Sequence, residues 1–415
     1  MVAVSEIDLC RTDLYLQGFP HDLFTELRAT SPVFKHPPAE FARTEEPVEF
    51  WVLCDHASVQ SANRDWETFS AIDGSGVYKT LLEHRNHMIV SMDPPQHSRM
   101  RRLISAGFTP RMIAQLDEHI RIRTKQILDE VADQGECEFV SEVAYQLPMH
   151  IIADIMGIPE DDRPWVFERT DVMIKAWDPA SGLGPEDNDK AQFDLWCYAR
   201  DLGKAKRSEP ADDVWTILAH AEIDGPDGNS TSLSEMELDM FFVILGLAGS
   251  ETTRNALSMG LLGLMNHPDQ MELLAERTAE VMGTAVEEII RWSSPVLLFG
   301  RTATRDVEMA GQIIREGDRV TLWYPSANRD EAAFDDPFRF DLRRDPNPHV
   351  SFGGGGPHYC LEANLAKREV SVMIEQLLTR FSDFRLTGEV EWLAAGPTTN
   401  VGVGVKRIPL ALSPN

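Results

Sequence analysis

The sequence predicts a mainly α-helical fold with small β-sheets, built as one continuous domain over residues 1–415. Three observations lead there. Apolar residues recur at i, i+3 and i+4 through several long stretches, the period of a helix with one buried face. Strand-like alternation is confined to a few short, scattered runs. No repeat, low-complexity tract or Pro/Gly-rich linker divides the chain.

In chain order, helical periodicity opens with HDLFTELRATSPVF from His21, and a strand signal, EFWVLCD, follows from Glu49. Long helical patterns return in MIAQLDEHIRIRTKQILDEVADQG from Met112 and AQFDLWCYARDLGKAKRSE from Ala191. The clearest element runs from about Ser234 to Met265. Ser234 with Glu237 forms the S-x-x-E pattern in which side chain and backbone satisfy each other's free donors, and Pro268 forbids continuation. Its middle, MFFVILGLAG, is apolar on every face, so the helix should cross the interior as a rod of about 48 Å. TAVEEIIRWSSP and NLAKREVSVMIEQLLTRF add helices, and VEMAGQIIREGDRVTLWY and VGVGVKRIPLAL add short strands.

Acidic residues outnumber basic ones by 67 to 39, a formal charge of −28. Such a balance repels nucleic acid and anionic membrane surfaces. Neither a signal segment nor a run of about 20 apolar residues is found, so membrane insertion is not expected. The five cysteines, Cys10, Cys54, Cys137, Cys197 and Cys360, never form C-x-x-C. That argues against a disulfide framework or zinc site and for a cytoplasmic location.

Four stretches could carry chemistry. In AGSETT, Ala248 and Gly249 free space beside the central helix, and Glu251 and Thr252 place an acid next to a hydroxyl in a dry interior. Simple helix packing, with Thr252 bonded back to its own helix, would explain the same residues. In EEIIRW, Glu288 and Arg291 have the spacing of an ordinary surface ion pair. In DPPQHSRMRRL, His97 and Arg101 lie one turn apart and could hold an anion, although a solvated basic face is commoner.

The fourth stretch, FGGGGPHYC, delivers Cys360 on a loop whose glycines let backbone N–H groups approach the sulfur, with a helix start beyond to favour a thiolate. An electron-donating axial ligand to haem iron needs that setting. A nucleophilic cysteine or a phosphate-binding glycine turn are the competing readings. The run lacks the Lys-Ser/Thr of a P-loop and shows no thiol-hydrolase ordering, so haem thiolate leads.

Taken together, DPPQHSRMRRL, AGSETTRN, EEIIRW, FGRTATRDVEMAGQIIREGD, SANRD, FDLRR and FGGGGPHYC resemble, in order and separation, the cytochrome P-450 superfamily over nearly the whole chain. The branch it looks like contains bacterial hydroxylases of sterol side chains, terpenoids and fatty acids. The resemblance implies a long central helix crossing over a buried haem b, iron protoporphyrin IX, with Cys360 as axial thiolate. His97, Arg101, Arg301 and His358 match the groups holding the propionates, with Phe352, Ala248 and Gly249 beside the cofactor. Glu251 and Thr252 match the acid and alcohol that deliver protons for splitting dioxygen. Glu288, Arg291 and Arg344 match a buried structural set. Family topology lines the substrate pocket with Met88 to Met92, including Val90, and with Leu245, Val296, Leu297, Phe299, Asn400 and Val401.

The implied function is a monooxygenase acting on a lipophilic terpenoid, steroid or fatty-acid-like molecule, with dioxygen and electrons from a ferredoxin and its reductase. No dinucleotide fingerprint suggests a fused reductase. A haem-thiolate sensor or a peroxide-driven peroxygenase are the alternatives, and retention of the acid and alcohol favours the monooxygenase. Segments 71–86 and 178–190 look like mobile loops beside the pocket. Glu362 departs from the family pattern, which has a small residue there. The expectation is that it turns to the surface and weakens ferredoxin docking, offset by Arg102, Lys367 and Arg368.

Overall fold

The computed structural model describes residues 4–41, 43–79, 87–105, 107, 110–176, 178–224, 230–394, 396 and 403–415. Among them thirteen α-helices dominate: α1 His21–Thr30, α2 His56–Arg64, α3 Gln96–Ser105, α4 Pro110–Gln134, α5 Gln146–Met156, α6 Arg163–Lys175, α7 Pro185–Ser208, α8 Val214–His220, α9 Glu235–Asn266, α10 Pro268–Glu276, α11 Thr278–Ser293, α12 Tyr324–Ala327 and α13 Ala363–Arg380. None of the described helices is long and apolar enough to cross a membrane.

The sheets are small. The largest orders its strands Val33–Ala39, Val48–Leu53, Arg319–Trp323, Leu298–Ala303 and Phe69–Ser70. Its neighbours pair antiparallel except Arg319–Trp323, which runs parallel to Val48–Leu53. A three-stranded sheet joins Phe381–Leu386, Pro409–Pro414 and Glu136–Glu138, and three two-stranded ribbons complete the described set.

The central rod forms as its sequence dictates. Ser234 caps α9, its hydroxyl accepting from the Glu237 N–H at 3.2 Å while the Glu237 carboxylate accepts from the Ser234 N–H at 2.9 Å. At the far end Pro268, unable to donate an N–H, opens α10 instead of prolonging α9. Helix α9 packs against α5, α7, α11 and α13, and Phe242, Leu257, Leu261 and Leu264 sink into the main core. One departure from the sequence reading sits at mid-rod: Ala248 is exposed, and Gly249 and Thr252 are only half-buried. A helix buried along most of its length thus leaves one short face uncovered by protein.

Candidate active site

The loop before α13 is built from backbone. The Cys360 N–H donates to the Phe352 carbonyl at 2.9 Å, closing the turn. Gly353, Gly354, Gly355 and Gly356 take φ of 97°, 62°, 110° and 82°, where a Cβ would strain each residue. Contact enforces the same choice, because a side chain on Gly356 would overlap the Asn63 carbonyl at the end of α2. Arg64 of α2 also donates to the Gly354 carbonyl at 3.1 Å. Four glycines therefore let the loop press onto α2 and present one sulfur.

Burial pushes the Cys360 thiol up to about 11, with the Glu362 carboxyl adding to it and the Glu362 N–H and Arg101 opposing. A bound metal cation reverses such a balance and takes the thiolate outright.

Facing this loop, α3 supplies His97 and Arg101, and the Leu298–Ala303 strand supplies Arg301. The rings of His97 and His358 lie 4.3 Å apart, and Arg101 Nη1 donates to the Pro357 carbonyl at 3.4 Å. Arg301 is 3% exposed, and its Nη1 bonds to the adjacent Gly300 carbonyl at 2.9 Å. Burial, then the neighbouring guanidinium charges, push His97 down to about 4 and His358 down to about 2. Nδ1 of His97 and Nε2 of His358 are buried without a hydrogen-bond partner. Two guanidinium groups and two imidazole nitrogens without partners form a polar cradle suited to a pair of carboxylates.

On α9 the acid and the alcohol diverge. The Thr252 hydroxyl donates to the Ala248 carbonyl at 2.8 Å, on the uncovered face. Glu251 turns into the protein, where Oε1 pairs with Arg254 and accepts from Asn255 Nδ2 at 3.2 Å, while Oε2 is buried without a partner. Burial raises its carboxyl above the usual range, with Arg254 and Asn255 opposing. Arg254 and Asn255 were not assigned from sequence. The signal was present, since Glu251 and Arg254 have the i, i+3 spacing of Glu288 and Arg291.

Glu288 and Arg291 are no surface pair: both side chains are 0% exposed. Arg291 Nε and Nη2 each donate to Glu288 at 2.7 Å, and Arg344 Nε joins at 3.2 Å. This unit ties α11 to the segment 328–347 that leads into the cysteine loop.

Of the expected pocket residues, Met88, Val90, Val296 and Phe299 are half-buried. Leu245 and Leu297, 3% and 1% exposed, pack into hydrophobic cores. Asn400, Val401 and residues 80–86 lie outside the described residues. The surface expectation for Glu362 is overturned. Its Oε1 is buried without a partner, and its Oε2 would stand 3.2 Å from a Cβ on Gly249, so the carboxyl points inward to α9 because Gly249 leaves it room. Nor do Lys367 and Arg368 stand ready to offset it, being paired with Glu287 at 2.6 Å and with Asp117.

The chemistry of the donor set fits haem: one deliverable sulfur, a cradle for two propionates, and a helix face bearing Ala248, Gly249 and Thr252 without a cover. Glu362 is the one residue outside that pattern.

Comparison with known proteins agrees. The cytochrome P450 family model matches residues 204–392. Cytochrome P450 126 of Mycobacterium tuberculosis is 40% identical over 96% of this chain and 96% of its own length. A steroid C26-monooxygenase of Rhodococcus jostii is 35% identical over 94% of this chain and 82% of its own. A methyl-branched lipid omega-hydroxylase of Mycobacterium tuberculosis is 37% identical over 94% and 91%. Among solved structures, Mycobacterium marinum cytochrome P450 CYP268A2 in complex with pseudoionone matches with a TM-score of 0.89 and 35% identity, covering 99% of each chain. With relatives this similar over nearly the full length, the chain belongs to the cytochrome P450 family and is a P450 monooxygenase.

Proposed function

We propose that this monooxygenase hydroxylates a terpenoid, steroid or fatty-acid-like molecule, working as one domain over residues 1–415 with electrons from a separate ferredoxin and its reductase. The balanced reaction consumes substrate, dioxygen, two electrons and two protons, and releases the alcohol and water. The observation that carries this reading is the convergence of Cys360, the His97–Arg101–Arg301–His358 cradle and the uncovered face of α9.

Haem b, held by Cys360 and the cradle, supplies the activation of dioxygen for insertion of one oxygen atom into a C–H bond. The remaining work belongs to the chain. Arg101 and Arg301 neutralise the two propionates, whose negative charge would favour protonation of His97 and His358 so that the ring nitrogens without partners donate to them. Thr252 spends its hydroxyl hydrogen on the Ala248 carbonyl, which leaves its lone pairs to hold a proton donor at the α9 face. Glu251, fixed by Arg254 and Asn255, keeps Oε2 to pass a proton onward. Met88, Val90, Val296 and Phe299 offer apolar surface to a lipophilic substrate.

The named activities of the relatives support the substrate class, since they act on a steroid and on a methyl-branched lipid. The test is optical titration of ferric, haem-loaded protein with steroids and branched-chain lipids, followed by turnover with a ferredoxin system. A low-spin to high-spin shift with formation of a hydroxylated product is expected. A reduced carbon-monoxide complex absorbing like a histidine-ligated globin, or turnover that needs peroxide and ignores the ferredoxin, defeats the proposal.

A further inference from the structure

Beyond the site itself, a small cavity lies among α5, α6, α7 and α9. It offers about 10 Å³ to the centre of a water-sized molecule, room for one small guest. Met149, Met156, Leu195, Phe242 and Val243 are among its walls, and ten of its twelve lining residues are buried. The one side-chain hydroxyl in the lining, on Thr170, is committed to the Val166 carbonyl at 2.9 Å. A water molecule there would lack the two to four polar partners it needs, so a cavity of this kind stays dry. A nonpolar guest gives up little hydration, and the methionine sulfurs offer polarisable contact.

Two glycines of α9 set the cavity's relation to the active site. Gly246 lines the cavity, and a Cβ there would rest 3.9 Å from Met156 Cε and from Thr170 Oγ1, so an alanine fits and takes up the space. Ile152 also lines the cavity, while a Cβ on Gly249 would lie 2.6 Å from its Cδ1. The Ile152 side chain is therefore the partition between the cavity and the backbone at Gly249, beside the uncovered face of α9.

We propose that this cavity is a binding site for a small apolar gas, and that dioxygen passes through it, past Ile152, to the α9 face at Gly249. The naming of the gas as dioxygen rests on the monooxygenase reading; the site does not.

The test uses haem-loaded protein. Crystals pressurised with krypton or xenon should show a noble-gas atom between Met149, Phe242 and Gly246. Gly246→Ala, and independently Val243→Ile, should remove it without lowering the thermal midpoint or changing the haem spectrum. Bimolecular association of carbon monoxide and dioxygen with the reduced protein, followed by flash photolysis, should slow about threefold in either variant. Ile152→Ala should speed it. A wild-type cavity that takes up neither gas overturns the site. Loss of the gas with unchanged association rates overturns the route. If the gas binds as described and the protein nevertheless fails to consume dioxygen with a reductant, the functional reading falls and the gas site stands.

Discussion

Two buried polar regions lie on either side of the cysteine loop, and their hydrogen bonding differs in kind. In the first, around Glu288, every charged group is met within the protein, and Asn347 Oδ1 is the exception, left buried without a partner. Glu288 accepts from Arg291, from the Asp341 N–H at 3.0 Å, from Arg344 and from Asn347 Nδ2 at 3.1 Å. Arg291 spends its remaining N–H groups on the carbonyls of Asn328 at 2.8 Å, Pro337 at 2.9 Å and Arg339 at 3.3 Å. In the second, around Cys360, His97 Nδ1, His358 Nε2, Glu251 Oε2 and Glu362 Oε1 are all buried without partners. Folding selects against polar atoms left this way, since each costs about 1–3 kcal/mol. The difference separates a region that serves the fold from one whose partners come from outside the chain.

The comparison breaks first, and most severely, at the closed region. Glu288→Ala or Arg291→Ala leaves one buried charge without its counter-ion and should cost about 3–5 kcal/mol in urea unfolding. Replacing both residues with apolar side chains of similar size should cost less than either single change. The pH dependence has a definite sign. Burial pushes the Glu288 carboxyl up, but the hydrogen bonds and charges of Arg291, Asp341 and Arg344 outweigh it, and the net shift is downward. A depressed carboxylate stabilises the fold above its unfolded pKa and loses that contribution as pH falls through its folded value. The stability gap between wild type and Glu288→Gln should therefore be widest near neutrality and narrow toward acid pH.

The open region should respond the opposite way, with binding affected and the fold spared. Removing one cradle donor, as in His97→Phe, deletes a hydrogen bond to a charged carboxylate, worth about 1.5–3 kcal/mol. That corresponds to haem retention weakened about ten- to hundredfold. Haem transfer to an acceptor protein measures the loss, while the urea midpoint of the haem-free protein should hardly move. Thr252→Ala should act more gently still, leaving haem content and substrate binding intact while less product and more peroxide form per reducing equivalent. If product yield stays coupled to electron consumption, Thr252 is a packing residue and its bond to Ala248 is its whole role.

How far the two regions were legible in the sequence follows from the same physics. GGGG could be read directly, because consecutive positive φ angles and close backbone approach leave few other residues possible. The capped rod Glu235–Asn266 was equally open, since caps and prolines act locally. Glu288 and Arg291 were legible as a buried set only through the family resemblance: their spacing alone is that of a surface pair, and burial depends on the segment 328–347 folding over them. The inward turn of Glu362 escaped for a related reason, being decided by the missing Cβ of Gly249 more than a hundred residues earlier. Arg254, within the quoted AGSETTRN, carried the i, i+3 spacing to Glu251, but only the packing of α9 decided that the pair is buried.

The smallest expected effect tests whether every unpartnered atom of the open region serves a ligand. Glu362 is the doubtful member, because the cradle and the α9 face account for haem without it. Its carboxyl fits only because Gly249 has no side chain: a Cβ there would meet Ile152 Cδ1 at 2.6 Å and Glu362 Oε2 at 3.2 Å. If Glu362 merely fills the space between α13 and α9, Glu362→Leu keeps the packing and removes a buried acceptor without a partner, and the haem-free protein should gain about 1 kcal/mol. Gly249→Ala should then cost less in the Glu362→Gly background than in wild type, though not nothing, because Ile152 stands closer. A stability loss in Glu362→Leu, accompanied by weaker haem retention, would place the carboxyl among the groups that meet the cofactor and extend the open region to the base of α13.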